Sequence, residues 1–315
     1  MEKGIYLAFG ALVIWGILDA TSRYAVVGLG AHPFVFSCLN LLFGGLILMA
    51  IGGKGWGNLE TLKNPLTYTF GFLRVIMTLF MVYAFAFLTA SEAGFMLRIS
   101  AVISMLMVWI LFNRQAQKQD IPGIALIIGG FSLIAIRQEY SLLNIGVLCV
   151  IGAAICDALL NIVAEKHPIS NRAVGFKARA RYTGVVLTIT SLLSVAFALL
   201  LNKFNLFTGS TFFALPSLAD LFHTPTIIAA LFVGIVLRAP SMYMHLLANR
   251  LIKAEMVAMI FTLATFSTLI AESMFGLFGL LNVTALDGID VLGGLLMTAG
   301  GLSMAAIRYI KFKQA

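Results

Sequence analysis

"GGFSLIAIR" at residues 129–137 returns as "GGLSMAAIR" at residues 300–308, with Gly, Gly, Ser, Ala, Ile and Arg in identical places. A looser echo lies upstream, "FLTASEAGFML" at 87–97 against "RLIKAEMVAMI" at 250–260, each following a stretch that contains an arginine. The separations, 300 − 129 = 171 and 250 − 87 = 163 residues, divide the chain into two related halves, 1–140 and 141–315. The match includes polar members, which apolar low complexity alone would not reproduce.

The composition around these echoes belongs to a membrane protein. Of 315 residues, 61% are hydrophobic and 11% charged, with a mean hydropathy of +1.01; a soluble domain carries about a quarter charged residues. A bilayer core of about 30 Å needs roughly 20 apolar residues per helical crossing. Ten such stretches are expected, at 5–27, 33–51, 65–88, 91–112, 121–136, 143–164, 177–201, 225–248, 254–278 and 291–307, of which 121–136 and 291–307 are short. Apolar residues run continuously instead of alternating, which argues against a barrel. The first stretch lacks a small-residue cleavage site and contains Asp19, so it reads as a retained helix and not as a signal peptide. The fold class is therefore all-α integral membrane. Five crossings per half is an odd number, so the second copy enters from the opposite face and the repeat is inverted, an arrangement associated with secondary transporters.

The net charge of +8 is distributed as a topology signal. With the amino terminus in the cytoplasm, that side receives Lys3, Lys54, Lys63, Arg114, Lys118, Lys166, Arg172, Lys177, Arg179, Arg181, Arg250, Lys253, Arg308, Lys311 and Lys313. The other side receives Arg137 and Lys203, with Arg23 near the outer end of the first helix. This asymmetry places both termini in the cytoplasm of a multi-pass inner-membrane protein and leaves no case for a nucleic-acid partner. The Lys177, Arg179 and Arg181 cluster reads as an anchor on acidic headgroups of the lipid bilayer. Cys38, Cys149 and Cys156 are too scattered for metal spacing, and no HExxH, GxSxG or Walker pattern appears, so no metal and no cofactor is expected. "GGKGWG" at 52–57 reads as a turn and not as a phosphate loop.

With "IWG" at 14–16 and "YAFAFLTASEAGFML" at 83–97 across the third-to-fourth turn, the five-plus-five chain resembles the EamA-type drug/metabolite transporter superfamily. The resemblance implies a secondary transporter of small metabolites whose cavity is formed by helices one, three, four, six, eight and nine. Two features depart from that pattern. Proline, frequent in the middle of helices four and nine in the family, is replaced by "RISAV" at 98–102 and "TLATF" at 262–266. The acid common at the end of helix four is absent from "LFNRQ" at 111–115, although Glu272 stands near the corresponding place in the second half.

Charges inside apolar stretches carry the functional reading, because a lone charge at mid-bilayer costs about 2.5–3.5 kcal/mol on insertion scales. Arg74 lies mid-helix in "FGFLRVIMTLFMVYAFAF" (70–87), Arg98 about two turns into helix four, and Arg238 mid-helix beside Pro240. Three arginines converging on one cavity suit a carboxylate, phosphate or zwitterion, which a guanidinium holds bidentately. The alternative is internal pairing with Asp19 and Asp157, which leaves one positive charge over; a local Asp19–Arg23 pair at i, i+4 would enlarge the excess. Trp15, Tyr83 and Tyr243 are the candidate aromatic lining. Glu92 and Glu255 open helices, where a carboxylate suits the helix dipole better than a proton-carrier role. Gly129, Gly130, Gly300 and Gly301 permit close packing, either bracing the halves or joining two protomers of a homodimer. The function expected is alternating-access transport of a small organic metabolite, coupled to a proton or a counter-substrate. The rivals are a membrane enzyme, for which no acid/base or nucleophile constellation is found, and a channel or scaffold, which would lack counterflow.

Overall fold

The structure is a computed structural model and describes residues 2–55, 58–85, 87–113, 117–137, 145–203, 216–252, 254–281 and 288–314. Among these residues all regular structure is helical. Nine helices are long and apolar enough to cross a membrane, and the apolar helix beginning at Pro65 supplies the tenth crossing. In chain order helices one to ten are Glu2–Gly28, Pro33–Gly52, Pro65–Ala84, Ala90–Phe112, Ile121–Arg137, Ile145–Lys166, Phe176–Lys203, Thr224–Leu251, Ala254–Leu277 and Gly288–Gln314. Helix ten is not short: it runs for 27 residues, because its polar last turns continue the helix past the apolar core. The boundary expected at residue 140 lies outside the described residues, as do Arg114 and Lys253.

Local sequence fixes the ends. Proline opens helices two and three, where its missing N–H costs nothing. The Asn64 side chain accepts the Leu66 amide at the start of helix three. Helix four begins with a capping box: the Glu92 amide donates to Thr89 Oγ1 at 3.1 Å and the Thr89 amide donates to Glu92 Oε2 at 2.8 Å. Helix two stops at Gly53, whose φ of 64° admits the left-handed region.

The packing repeats the internal symmetry of the sequence. Helix two lies most extensively against seven and helix five against ten, each against its own counterpart. Helix three packs on six and helix eight on one; helix one packs on nine and helix six on four. Exchanging the halves turns each of these pairs into its partner, as an inverted repeat requires. The self-paired crossings are glycine contacts. A Cβ on Gly45 would lie 2.9 Å from the Gly184 carbonyl, and one on Gly184 2.7 Å from the Gly45 carbonyl. Gly130 likewise meets the Gly293 carbonyl and Gly300 the Gly123 carbonyl, while Gly301 meets Thr262 and Gly129 faces open space. Gly130 and Gly300, but not Gly129 or Gly301, thus brace helix five against helix ten within one chain.

The repeated arginine is structural as well. Arg308 Nη2 donates to Asp120 Oδ2 at 2.9 Å, tying helix ten to the turn before helix five. Tyr309 Oη donates to Glu2 Oε1 at 3.3 Å, so the two termini lie on one face.

Candidate functional site

Trp15, midway along helix one, is the centre of a buried cluster drawn from both halves. The Arg74 guanidinium of helix three stands 5.0 Å from the Trp15 ring centroid and 5.7 Å from that of Phe70. On helix eight, the Arg238 guanidinium stands 5.6 Å from the same Trp15 ring. An indole between two guanidiniums offers each a cation–π contact while adding no counter-charge.

The two arginines differ in how they are satisfied. Arg238 Nε donates to Asn40 Oδ1 at 3.0 Å, and Asn40 Nδ2 donates back to the Phe36 carbonyl at 3.0 Å, so the amide is fixed as an acceptor. Arg74 is 1% exposed, and among the described residues the only hydrogen bond of its side chain is a long one, 3.5 Å, from Nη1 to the Met77 sulfur. Its Nε and Nη2 have no hydrogen-bond partner among the described residues. Asp19 and Asp157 act on Arg74 electrostatically, but neither supplies those missing bonds. Leaving charged donors buried and unmet is expensive, which makes Arg74 the unsatisfied charge of a site in which His245 Nδ1 and Asn249 Oδ1 are also unmet among the described residues.

Arg98 has a different occupation. Helix four breaks at Arg98 and Ile99, and helix nine tightens to a 3₁₀ turn over Phe261–Leu263. Arg98 Nε donates to the Gly94 carbonyl at 2.8 Å, and Nη1 donates to the Phe261 carbonyl. Thr265 Oγ1 donates to the same Gly94 carbonyl at 3.0 Å. Arg98 and Phe261 are 261 − 98 = 163 residues apart, the spacing of the upstream echo, so the two breaks meet at equivalent points. Neither break contains proline; main-chain carbonyls freed there are met by Arg98 and Thr265.

Of the residues proposed from sequence, Trp15, Arg74 and Arg238 are brought together. Arg98 joins them through Phe261, whose ring is 5.7 Å from Trp15. Asp19 and Asp157 lie within electrostatic reach of Arg74 and Arg98. Tyr83 borders a membrane-facing apolar crevice of about 460 Å³ between helices three and seven. Tyr243 stacks near Phe176 at the start of helix seven, 5.3 Å away. The suggested Asp19–Arg23 pair is not seen among the described residues: Arg23 bonds Glu272 instead, because helix one packs along helix nine and the buried Glu272 lies across that seam.

Three polar residues escaped the sequence reading. Asn40 is described above; the others are His245 and Asn161. His245 Nε2 and Asn161 Oδ1 are 2.9 Å apart, with Asn249 Nδ2 donating to the same oxygen at 3.3 Å. His245 also lies against Trp15 and Phe261, at 5.3 and 5.0 Å. The only available signal was a polar side chain inside an apolar run, as in "FSCLNLLFGG" (36–45). Among the described residues no group of three or more His, Cys, Asp or Glu could hold a metal ion.

A family model, that of the EamA-like transporters, matches residues 2–136, from helix one into helix five. Over those residues the chain is similar to the EamA-like transporters. A solved structure described as "Crystal structure of protein" has a similar fold at a TM-score of 0.62, with 18% identity over 96% of this chain and 98% of its own. No curated protein matches the chain in sequence. The multi-pass helical architecture agrees with that similarity to a family of membrane transporters.

Proposed function

We propose that the protein is a secondary transporter of the cytoplasmic membrane, both termini cytoplasmic, that carries a small organic anion or zwitterion by alternating access. One observation carries this reading: a buried guanidinium, Arg74, whose Nε and Nη2 have no hydrogen-bond partner among the described residues, at the point where the two halves meet. A carboxylate or phosphate oxygen pair is the acceptor that such a fork matches. Arg238, from the other half, would contribute the second charge, and Trp15 an apolar wall. A ligand held by both halves couples its binding to their relative rotation, which is what alternating access requires. Asp19 and Asp157 would offset the site's positive charge when it is empty and are the residues through which a proton or counter-substrate would be coupled.

The test is counterflow in proteoliposomes, using an anion first identified by its stabilisation of the purified protein. The expected result is accelerated exchange of labelled for unlabelled anion by the parent, reduced in Arg74→Lys and lost in Arg74→Ala. Unaltered affinity and rate in both variants would remove Arg74 from the site. Recovery of lost stability and transport when Asp19→Asn or Asp157→Asn is added to Arg74→Ala would make Arg74 an internal charge partner.

A further inference from the structure

On the face away from the termini, the ends of helices one and nine and the start of helix four meet at one carboxylate. Glu272 is 1% exposed and receives four bonds. Arg23 Nη1 of helix one and Ser91 Oγ of helix four donate to it closely, the Ser91 amide donates at 3.1 Å, and the Ala90 amide donates at 3.4 Å. The carboxylate therefore caps the start of helix four, where the helix dipole favours a negative charge, and neutralises Arg23 at the same time.

Among the described residues the opposite face shows no equivalent. With Asp19 matched to Asp157, Arg23 corresponds to Asn161; at a separation of 163 residues, Ser91 corresponds to Ala254 and Glu272 to Trp109. On the terminal side, helices one, eight and nine are closed instead by an apolar seam that includes Leu12, Ala248, Ile252, Met256 and Val257. One face is thus shut by packing and the other by a buried ion pair tied to main-chain amides.

We propose that Glu272 is the latch of the gate on the face away from the termini, and that parting it from Arg23 and from Ala90 and Ser91 is a required step in opening that face. The proposal rests on the alternating-access reading. Hydration of the separated charges in the open state offsets the loss of the pair, so the latch weights the two states without forbidding either.

Thr268 lies one helical turn beneath Glu272, fully buried, its hydroxyl bonded only within its own helix, to the Ala264 carbonyl. The test places Thr268→Cys, and separately Leu12→Cys in the opposite seam, in a chain whose Cys38, Cys149 and Cys156 are replaced. Each is probed with a membrane-impermeant thiol reagent from either side of sealed vesicles. Glu272→Gln and Arg23→Gln should each raise the Thr268→Cys labelling rate from the face away from the termini by about tenfold. Their thermal midpoints should stay close to that of the parent. Unchanged labelling at position 268, or a rise from both sides accompanied by collapse of thermal stability, overturns the latch. The Leu12→Cys reporter separates the latch from the reading beneath it. Its labelling should fall as that of position 268 rises; if it stays constant, Glu272 latches a passage and the carrier reading fails on its own.

Discussion

Arg74 and Arg98 are the same residue type at similar depth in adjacent helices, yet their surroundings give them opposite expected phenotypes. Arg98 is spent on the carbonyls of Gly94 and Phe261, so Arg98→Ala should cost about 1–3 kcal/mol of stability by stranding a buried acceptor. Beyond the electrostatic pull of Asp19 and Asp157, the Arg74 side chain meets, among the described residues, a sulfur and two aromatic faces and no oxygen acceptor. Arg74→Ala should therefore leave the thermal midpoint of the detergent-solubilised protein unchanged or raised, because removing a poorly met buried cation relieves desolvation. Its counterflow should nevertheless be abolished. The comparison is made by measuring thermal unfolding and exchange on both variants; a stability loss confined to Arg74→Ala would reverse the two assignments. The positions of these arginines are legible in the sequence. Their partners are not, since Gly94 and Phe261 offer backbone oxygens that every residue possesses.

At the scale of helices, the paired glycines of the repeat separate by tertiary neighbour. Gly129 faces open space and Gly130 the Gly293 backbone. Gly130→Val should thus destabilise the five–ten crossing by about 1–3 kcal/mol through overpacking, whereas Gly129→Val should be nearly silent. Paired thermal-unfolding curves decide the point. The connection between helices six and seven carries a pH dependence of its own. His167, buried there, contacts Thr67 Oγ1 through Nε2 at 3.1 Å, and that hydroxyl donates to the Thr61 carbonyl, so Nε2 carries the proton. Burial pushes the imidazole down to about 4 from its ordinary 6.5. With the folded value depressed, the unfolded chain binds the extra proton first. This contribution to stability is complete above about pH 6.5 and is lost as the pH falls toward 4. His167→Gln should flatten that part of the stability profile between pH 7 and pH 5, measured on the purified protein. An unaltered slope would assign it to other groups.

For the whole molecule, an even number of crossings and the one-sided lysines and arginines predict that tags at both termini and in the loop around Asn171 share a face, and that a tag near Asp287, outside the described residues, lies on the other. Protease protection in oriented vesicles reads this directly, and a carboxyl terminus opposite the amino terminus would undo the ten-helix inverted repeat. Bilayer insertion, crossing number and the two-fold relation of the halves were decided by the sequence alone, because each depends on local apolar length or on similarity along the chain, and a bilayer compels every apolar run to satisfy its backbone as a helix. The broken middles of helices four and nine were not legible: without proline, the breaks exist only because their carbonyls find Arg98 and Thr265 across the crossing. Nor was the exchange of Asp19 for Glu272 as the partner of Arg23. Sequence proximity offered the first, but rotation of helix one turns Arg23 toward the end of helix nine, 249 residues away. Charge neutralisation, cation–π contact and glycine approach act over a few ångströms between elements remote in the chain, so only the folded arrangement could choose among them.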